Sequence, residues 1–224
     1  DWDYRSVAEI GQSGATVSVF EGALYANVLA GQGLLDPAQL DFSYAGTPAR
    51  FVAEDGAIIQ QGLVTSEVYK YEHDIPEWGR PVGYVLVGDE YRTYTSQISV
   101  RADRLEELRD CLELLVPLFQ QAGVDYVADP TATNAALLDI VEQLEGSGWT
   151  LSEGIVEWSA AQSVANGIVA NGSDGVFGSF DFDRLNEFIE VVSPVLAESG
   201  RNIADGITAE QFATNEFLDP EISL

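Results

Sequence analysis

The residues best able to do chemistry follow a single apolar run. The run Ala57–Val64 reads AIIQQGLV and leads into side chains with hydroxyl, carboxylate and aromatic groups, namely Thr65, Ser66, Glu67, Tyr69 and Tyr71. These groups can hydrogen-bond and stack, but none of them is a nucleophile placed beside a base. The pattern therefore predicts that this segment binds a ligand rather than performs catalysis.

Catalytic patterns are weak elsewhere in the chain. The one histidine, His73, lies between Glu72 and Asp74 near a predicted helix end, where a solvated side chain is favoured over a general base. No nucleophile-elbow motif is present, and one histidine with one cysteine cannot assemble a zinc site. Gly31 and Gly33 follow a predicted helix and are interpreted as its C-terminal stop, not as a phosphate loop. We predict no catalytic residue, no metal site and no cofactor.

Two further segments favour structural roles over functional ones. Cys111 lies in an apolar helical pattern, which predicts a buried structural thiol rather than a reactive one. The segment from Asn166 to Ser179 has oxygen-bearing residues, but it lacks the spacing and the glutamate of a calcium loop. It is predicted to form tight turns.

The net charge of the chain limits the classes of molecule that it can bind. The chain has 37 acidic and 10 basic residues, for a formal net charge of −27. Such a field repels phosphate backbones, so we expect no nucleic-acid partner. The acids are dispersed, which favours a well-hydrated surface; adaptation to high salt is the alternative. No apolar run approaches the ~20 residues that span a bilayer.

The pattern of apolar runs in the first half of the chain predicts an α/β fold with a largely parallel sheet. Strand candidates are separated by helices that begin near Gly22, Thr47 and Ser66, which gives the order β-α-β-α-β-α-β-β. The five predicted strands are Thr16–Phe20, Leu40–Tyr44, Ala57–Val64, Val82–Val87 and Thr95–Val100.

The second half predicts helices. Leu105, Leu108, Leu112, Leu115 and Phe119 recur at helical spacing and predict one buried face, with Pro117 as a possible kink or end. Further helices are predicted for 133–145, for 152–165 and for a segment capped by Asp181 or Asp183. The core stripe of this last helix is predicted to be Leu185, Phe188, Ile189, Val192 and Leu196.

Three strand-to-helix junctions are the main candidates for binding. In a parallel sheet they open on one edge, where helix N-termini and loops collect ligands. The third junction is the segment described first. The first and second junctions supply Glu21, Gly22 and Tyr25, and Tyr44 and Thr47, with Thr47 predicted to cap a helix that has Pro48 in its first turn.

Four segments carry a resemblance to a known family: SVAEIGQSGATVSVFEGALY, SYAGTPARFVAEDGAIIQQGLVTSEVYKYE, DYVADPTATNAALLDIV and TNEFLDP. The chain resembles solute-binding proteins of ABC transporters, in the branch related to binders of thiamine pyrimidine precursors, taurine and nitrate. The resemblance implies two α/β lobes that close by hinge motion on a ligand. Residues 1–98 would be the second lobe, and residues 99–224 the return crossing and the helical C-terminal part of the first. The absence of methionine and a start that resembles the middle of a fold suggest that the opening half of the first lobe precedes this segment.

The resemblance and the charges together predict a ligand class. Glu21 and Glu67 lie at the predicted mouth and no arginine does, so a nitrate or sulfonate would meet like charge. A pyrimidine-type thiamine precursor fits better, with an amine or a flavin-like ring as alternatives. Because Tyr69 and Tyr71 diverge by about 200° on a helix, one of the two is expected to face the ligand.

The resemblance also implies partners and a location. It implies a monomer that delivers its solute to an ABC permease, outside the cytoplasm in the periplasm or extracellular space, with a lipid anchor as one possibility. Two other functions stay open. One is a ligand-sensing module of a signalling protein. The other is an enzyme like the pyrimidine-forming synthases of fungal thiamine biosynthesis, which is disfavoured because those enzymes depend on a cysteine-rich motif.

Overall fold

The computed structural model describes residues 3–144, 150–201 and 203–224. The chain forms two compact units. The sheet unit comprises Asp1–Thr93 and Glu190–Ile203, and the helical unit comprises Tyr94–Ile189 and Ala204–Leu224. The class is α/β, with a small parallel sheet and a helical part. The predicted bounds at residue 1 and at Glu145 fall outside the described residues.

The sheet has three short parallel strands in the order β2-β1-β3. They are β1 (Val17–Ser18), β2 (Leu40–Asp41) and β3 (Ile59–Gln60), with Val17 opposite both Leu40 and Ile59. All three lie inside predicted strands but are only two residues long. Single backbone bonds continue the pairing beyond them, such as the bond from the Val19 N–H to the Asp41 carbonyl, 2.9 Å. The parallel arrangement expected from the sequence is confirmed.

Two predicted strands are absent. Residues 82–86 are irregular and lead into the 3-10 turn Val87–Asp89, while residues 95–100 lie exposed outside any strand. The β-branched residues raised the strand propensity of both segments, but neither has a neighbouring strand to pair with. Instead, Val85 and Val87 pack on a core cluster as loop residues.

Four α-helices accompany this sheet within residues 3–93. They are α1 (Val7–Ser13), α2 (Leu24–Gly31), α3 (Ala49–Ala53) and α4 (Glu67–Tyr69), and α4 continues as a π-helical turn over Lys70–Asp74. The start of α1, which was not predicted, is fixed by the Ser6 hydroxyl, which accepts a bond from the Glu9 N–H at 3.2 Å. The other three helices begin close to where the sequence placed them.

The sheet unit has its core on two adjoining clusters. One contains Val7, Leu29 and Leu35, and the other contains Val17, Val19 and Ala26. Leu29 and Val19 are each 1% exposed. The central strand and α2 therefore form the rigid base behind the strand ends.

The helical unit contains most of the remaining helices. They are α5 (Leu105–Ala128), α6 (Thr131–Gln143), α7 (Glu153–Ala165) and α8 (Phe182–Glu198), whose last turns belong to the sheet unit. These four helices were predicted, and α5 continues through Pro117. The cap of α8 is Asp181, whose carboxylate accepts a bond from the Arg184 N–H at 3.1 Å. Within the described residues, no helix combines the length and the apolar character needed to cross a membrane.

The buried face of α5 differs from the predicted one. Leu112 is 6% exposed as expected, but Leu115 is 37% and Phe119 is 55% exposed, and Cys111 is exposed rather than buried. Gln120 is buried in their place. The apolar spacing of the sequence did not indicate this, because the buried face includes the polar residue Gln120, whose burial depends on specific hydrogen-bond partners.

Gln120 fastens the C-terminal segment to α5. Its side-chain amide donates to the Phe177 carbonyl at 2.7 Å and to the Asp219 carbonyl at 3.3 Å, and its oxygen accepts from the Asp219 N–H at 2.8 Å. One buried side chain thus satisfies three backbone groups from two segments distant in sequence.

The segment from Asn166 to Ser179 forms turns, as predicted. Asn171 pairs with Phe177 in an antiparallel bridge, and the Asp174 carboxylate accepts from the Val176 N–H and the Ser179 hydroxyl. Among the residues that the structure describes, no cluster of His, Cys, Asp and Glu could hold a metal ion.

Candidate ligand-binding edge

The three strand-to-helix junctions lie at one edge of the sheet, which we call the carboxyl edge: residues 20–25, 42–48 and 61–71. Their convergence follows from the parallel pairing of all three strands. Phe20, beyond β1, packs against Tyr44 beyond β2, with ring centroids 4.6 Å apart and ring planes tilted by 48°. The Phe20 N–H donates to the side-chain oxygen of Gln61 at 3.0 Å. The ends of the three strands are thus joined by side chains.

Glu67 organises the third junction. Its Oε2 accepts a bond from the Leu63 N–H at 2.7 Å, which closes the loop ahead of α4. A side chain at Gly62 would meet Glu67, since an added Cβ would lie 3.1 Å from the Glu67 Cβ. Ser66 occupies the N-cap position as predicted, but its hydroxyl makes no capping bond. The half-buried Glu67 carboxylate fixes this helix start instead.

Tyr44 and Glu67 are electrostatically coupled. Burial, and then the charge of Glu67, raise the pKa of Tyr44 above its usual value. The phenol therefore stays neutral and can act as a hydrogen-bond donor beside a carboxylate. Thr65 and Ser66, which precede Glu67 in the sequence, are half-buried.

Tyr71 and Tyr69 have separate environments. Tyr71 is 4% exposed, its hydroxyl accepts a bond from the Gln60 side chain at 2.8 Å, and its ring lies 4.8 Å from that of Phe51. No ring face is left for a ligand, so Tyr71 supports the edge rather than lining it. Tyr69 is half-buried, with its ring centroid 4.4 Å from that of His73. The two rings diverge, as the helical spacing predicts.

The buried phenol makes stability sensitive to alkaline pH. Burial raises the pKa of Tyr71 to about 12, from an ordinary value of 10.0. The unfolded chain loses this proton first as pH rises, so the free energy of unfolding falls between these two values. Replacing Tyr71 with Phe should flatten the fall, and it should cost ~1 kcal/mol at neutral pH because the Gln60 bond is lost. Urea unfolding at several alkaline pH values measures both effects, and an unchanged slope would contradict the assignment.

The first junction is divided between the edge and the core. Glu21 and Gly22 are exposed, and Gly22 has a φ of 76°, which favours glycine. Tyr25 instead packs against both core clusters, and burial raises the pKa of Tyr25. Tyr25 was predicted to line the site, but its position one residue into α2 turns it toward the core.

The second junction begins its helix later than predicted. The helix α3 starts at Ala49, with Pro48 at the N-cap position and no side-chain capping bond. Thr47 is exposed and does not cap the helix. Of the two predicted residues in this junction, Tyr44 is the one that contacts another junction.

Arg50 lies beside the end of β2, where no arginine was expected. Its guanidinium donates to the Asp41 carboxylate, to Glu54 at 2.8 Å and to the Ser43 hydroxyl at 3.3 Å. Hydrogen bonds from Ser43 and from Arg50 lower the pKa of Asp41 to about 2. Because the one cation is shared between two carboxylates, this group adds no net positive charge. No local sequence pattern marks an arginine nine residues from its partner.

The carboxyl edge carries groups that can form hydrogen bonds and stack on rings. It offers carboxylate oxygens, hydroxyl groups and aromatic rings, while His73 is exposed and lies 4.0 Å from the Glu72 carboxylate. The Ser43 hydroxyl is hydrogen-bonded to the Asp41 carboxylate, which is also ion-paired with Arg50. Comparisons with protein-family models, with curated proteins and with solved structures find no match to this chain.

Proposed function

We propose that this chain belongs to an extracytoplasmic solute-binding protein of an ABC importer, and that it binds a small nitrogen-containing solute at the carboxyl edge. The observation that carries the proposal is the convergence of Tyr44 and Glu67 beyond the ends of the parallel strands. Parallel α/β sheets bind ligands at this edge. The resemblance in sequence supplies the transport context.

The charges favour the class of solute. Glu21 and Glu67 are carboxylates of this edge, and Arg50 is paired with Asp41 and Glu54. A nitrate or sulfonate would be repelled, whereas a neutral or cationic heteroaromatic ring donates N–H groups to carboxylates and stacks on phenol rings. A pyrimidine-like thiamine precursor has these properties. The proposed larger protein has the two-lobed periplasmic-binding fold and delivers its solute to a membrane permease.

The test compares two glutamates with the same backbone contact. Glu67 accepts from the Leu63 N–H and Glu9 from the Arg5 N–H, both four residues earlier and both at 2.7 Å. Glu67→Gln should weaken binding by ~1–3 kcal/mol because a charged hydrogen bond to the ligand is lost. Calorimetry would record a roughly tenfold to hundredfold rise in Kd.

Glu9→Gln is the matched control, since it alters the same type of backbone contact at a residue outside the three junctions. Its affinity for an aminopyrimidine precursor should equal that of the unmodified chain. Equal affinities for both variants would remove Glu67 from the site. Tight binding of taurine, with none of the pyrimidine, would refute the proposed solute class, and binding of neither would refute solute binding at this edge.

A further inference from the structure

A surface groove lies between the C-terminal half of α8 and the end of α2, within the sheet unit. Its volume is about 210 Å³. Clefts that hold drug-sized molecules measure ~300–1,000 Å³, so this groove suits a narrow, chain-like molecule. It lies outside the three junctions of the carboxyl edge. Its α8 side is formed by Glu190, Val191, Pro194, Val195 and Glu198, and its α2 side by Gly31 and Gln32.

The floor of the groove is apolar. Val191 and Val195 are half-buried, whereas the two glutamates are exposed, so the valines form the floor and the carboxylates lie on the rim. An added Cβ at Gly31 would lie 3.1 Å from the Val195 Cγ2, so the end of α2 lies directly against α8. The floor therefore offers methyl groups to the methylene groups of a ligand.

The rim carries two separated negative charges. Glu190 and Glu198 are eight positions apart, which places them ~12 Å apart along the helix axis. Among the described residues, neither carboxylate is paired with a cation. None of the residues that line the groove is basic. Two positive charges at a similar separation would therefore be matched by this rim.

Backbone carbonyls add further acceptors. Pro194 lies inside α8 and has no N–H, so the Glu190 carbonyl receives no bond from the residue four positions on. The turn that ends α2 gives no backbone bond to the carbonyls of Gly31 and Gln32, which lie at the negative end of that helix. The last turn of α2 contains no basic residue. The groove thus combines anionic and carbonyl acceptors with an apolar floor.

We propose that this groove binds a linear polyamine of the length of spermidine. The terminal ammonium groups pair with the carboxylates of Glu190 and Glu198, and the methylene groups lie on the valine floor. The secondary ammonium between them meets the Glu190 carbonyl that Pro194 leaves without its helical donor. The net charge of −27 attracts such a cation before contact. The groove is separate from the carboxyl edge, so this site is independent of the solute proposed there.

The length of the ligand is tested by calorimetry in ~0.1 M KCl. Octamethylenediamine has the length of spermidine, and putrescine has the same two charges on a shorter chain. Octamethylenediamine should bind severalfold more tightly than putrescine, because only the longer chain reaches both carboxylates. Spermidine should bind at least as tightly as octamethylenediamine. Equal affinities for the two diamines would overturn the proposal.

The location is tested by replacing both Glu190 and Glu198 with glutamine. This double variant should raise the Kd of spermidine severalfold and should remove the preference for the longer diamine. Circular dichroism checks that it is folded, and both substitutions are at exposed helical positions. Glu67→Gln, at the carboxyl edge, should leave spermidine binding unchanged.

A second double variant controls for the general acidity of the chain. Glu142→Gln with Glu157→Gln gives the same net charge, and both residues are exposed on helices but do not line the groove. Its affinity for spermidine should equal that of the unmodified chain. Methyl NMR signals of Val191 and Val195 should shift when spermidine is added. Equal weakening in the two double variants, unmoved methyl signals, or no binding to the unmodified chain would each refute the site.

Discussion

Replacing Gln120 with leucine should lower the free energy of unfolding of the helical unit by about 3 kcal/mol. Gln120 is 3% exposed and serves the Phe177 carbonyl and both the N–H and the carbonyl of Asp219. A buried polar group left without a partner costs ~1–3 kcal/mol, and leucine leaves three such groups. Burial of the added apolar side chain offsets part of the loss. Chemical denaturation followed by circular dichroism measures the difference.

The neighbouring glutamine provides the comparison for this variant. Gln121 is exposed and bonds the Asp125 carboxylate at 2.7 Å, one helical turn away. Gln121→Leu should therefore change stability by less than ~0.5 kcal/mol, as surface substitutions generally do. If both variants lost the same stability, the backbone contacts of Gln120 would not be what holds the C-terminal segment.

The second large effect is expected for Leu29→Ala. Leu29 is 1% exposed in the cluster with Val7 and Leu35, and Tyr25 and Val85 pack against it. The substitution removes buried methyl groups and leaves a cavity, which costs ~2–5 kcal/mol in protein cores. Because Leu40 of β2 packs against this cluster, we expect the sheet unit to unfold at lower denaturant concentration.

Leu63 is the control residue for this variant, because it is also a leucine but is exposed. It is 64% exposed, so Leu63→Ala should cost less than ~0.5 kcal/mol. Thermal or urea unfolding of the two variants gives the contrast directly. A loss below ~1 kcal/mol for Leu29→Ala would mean that this cluster collapses around the deletion and does not limit stability.

Elements with a strong local signal were predictable. The helices α5 to α8 follow apolar spacing of 3.6 residues, and the sheet strands follow apolar runs that end in glycine or polar residues. The failures depend on neighbours distant in sequence. Residues 82–87 and 95–100 have strand composition but no strand to pair with, and composition cannot supply one. The buried side of α5 was misplaced because Gln120 has its partners at Phe177 and Asp219.

The location of the candidate site at one edge of the sheet was predictable from the sequence. The side chains that line this edge were not. Parallel β-α-β order fixes which strand ends meet, and those ends do meet. The order does not fix rotation within each helix, so Tyr25 and Tyr71 were assigned to the edge although both face the core. Arg50 was missed for a related reason, since its bond to Asp41 joins two elements across a loop.

The bond between the Phe20 amide and the Gln61 side chain has a consequence for how such a protein can diverge. Backbone bonds continue the pairing of β1 as far as Val19, and at Phe20 an amide side chain takes over as the bonding partner. Most substitutions leave the backbone hydrogen bonds of a sheet in place. A single substitution at position 61, by contrast, removes the side-chain contact. A substitution at position 61 can therefore change the shape of the edge while the three strands stay as they are.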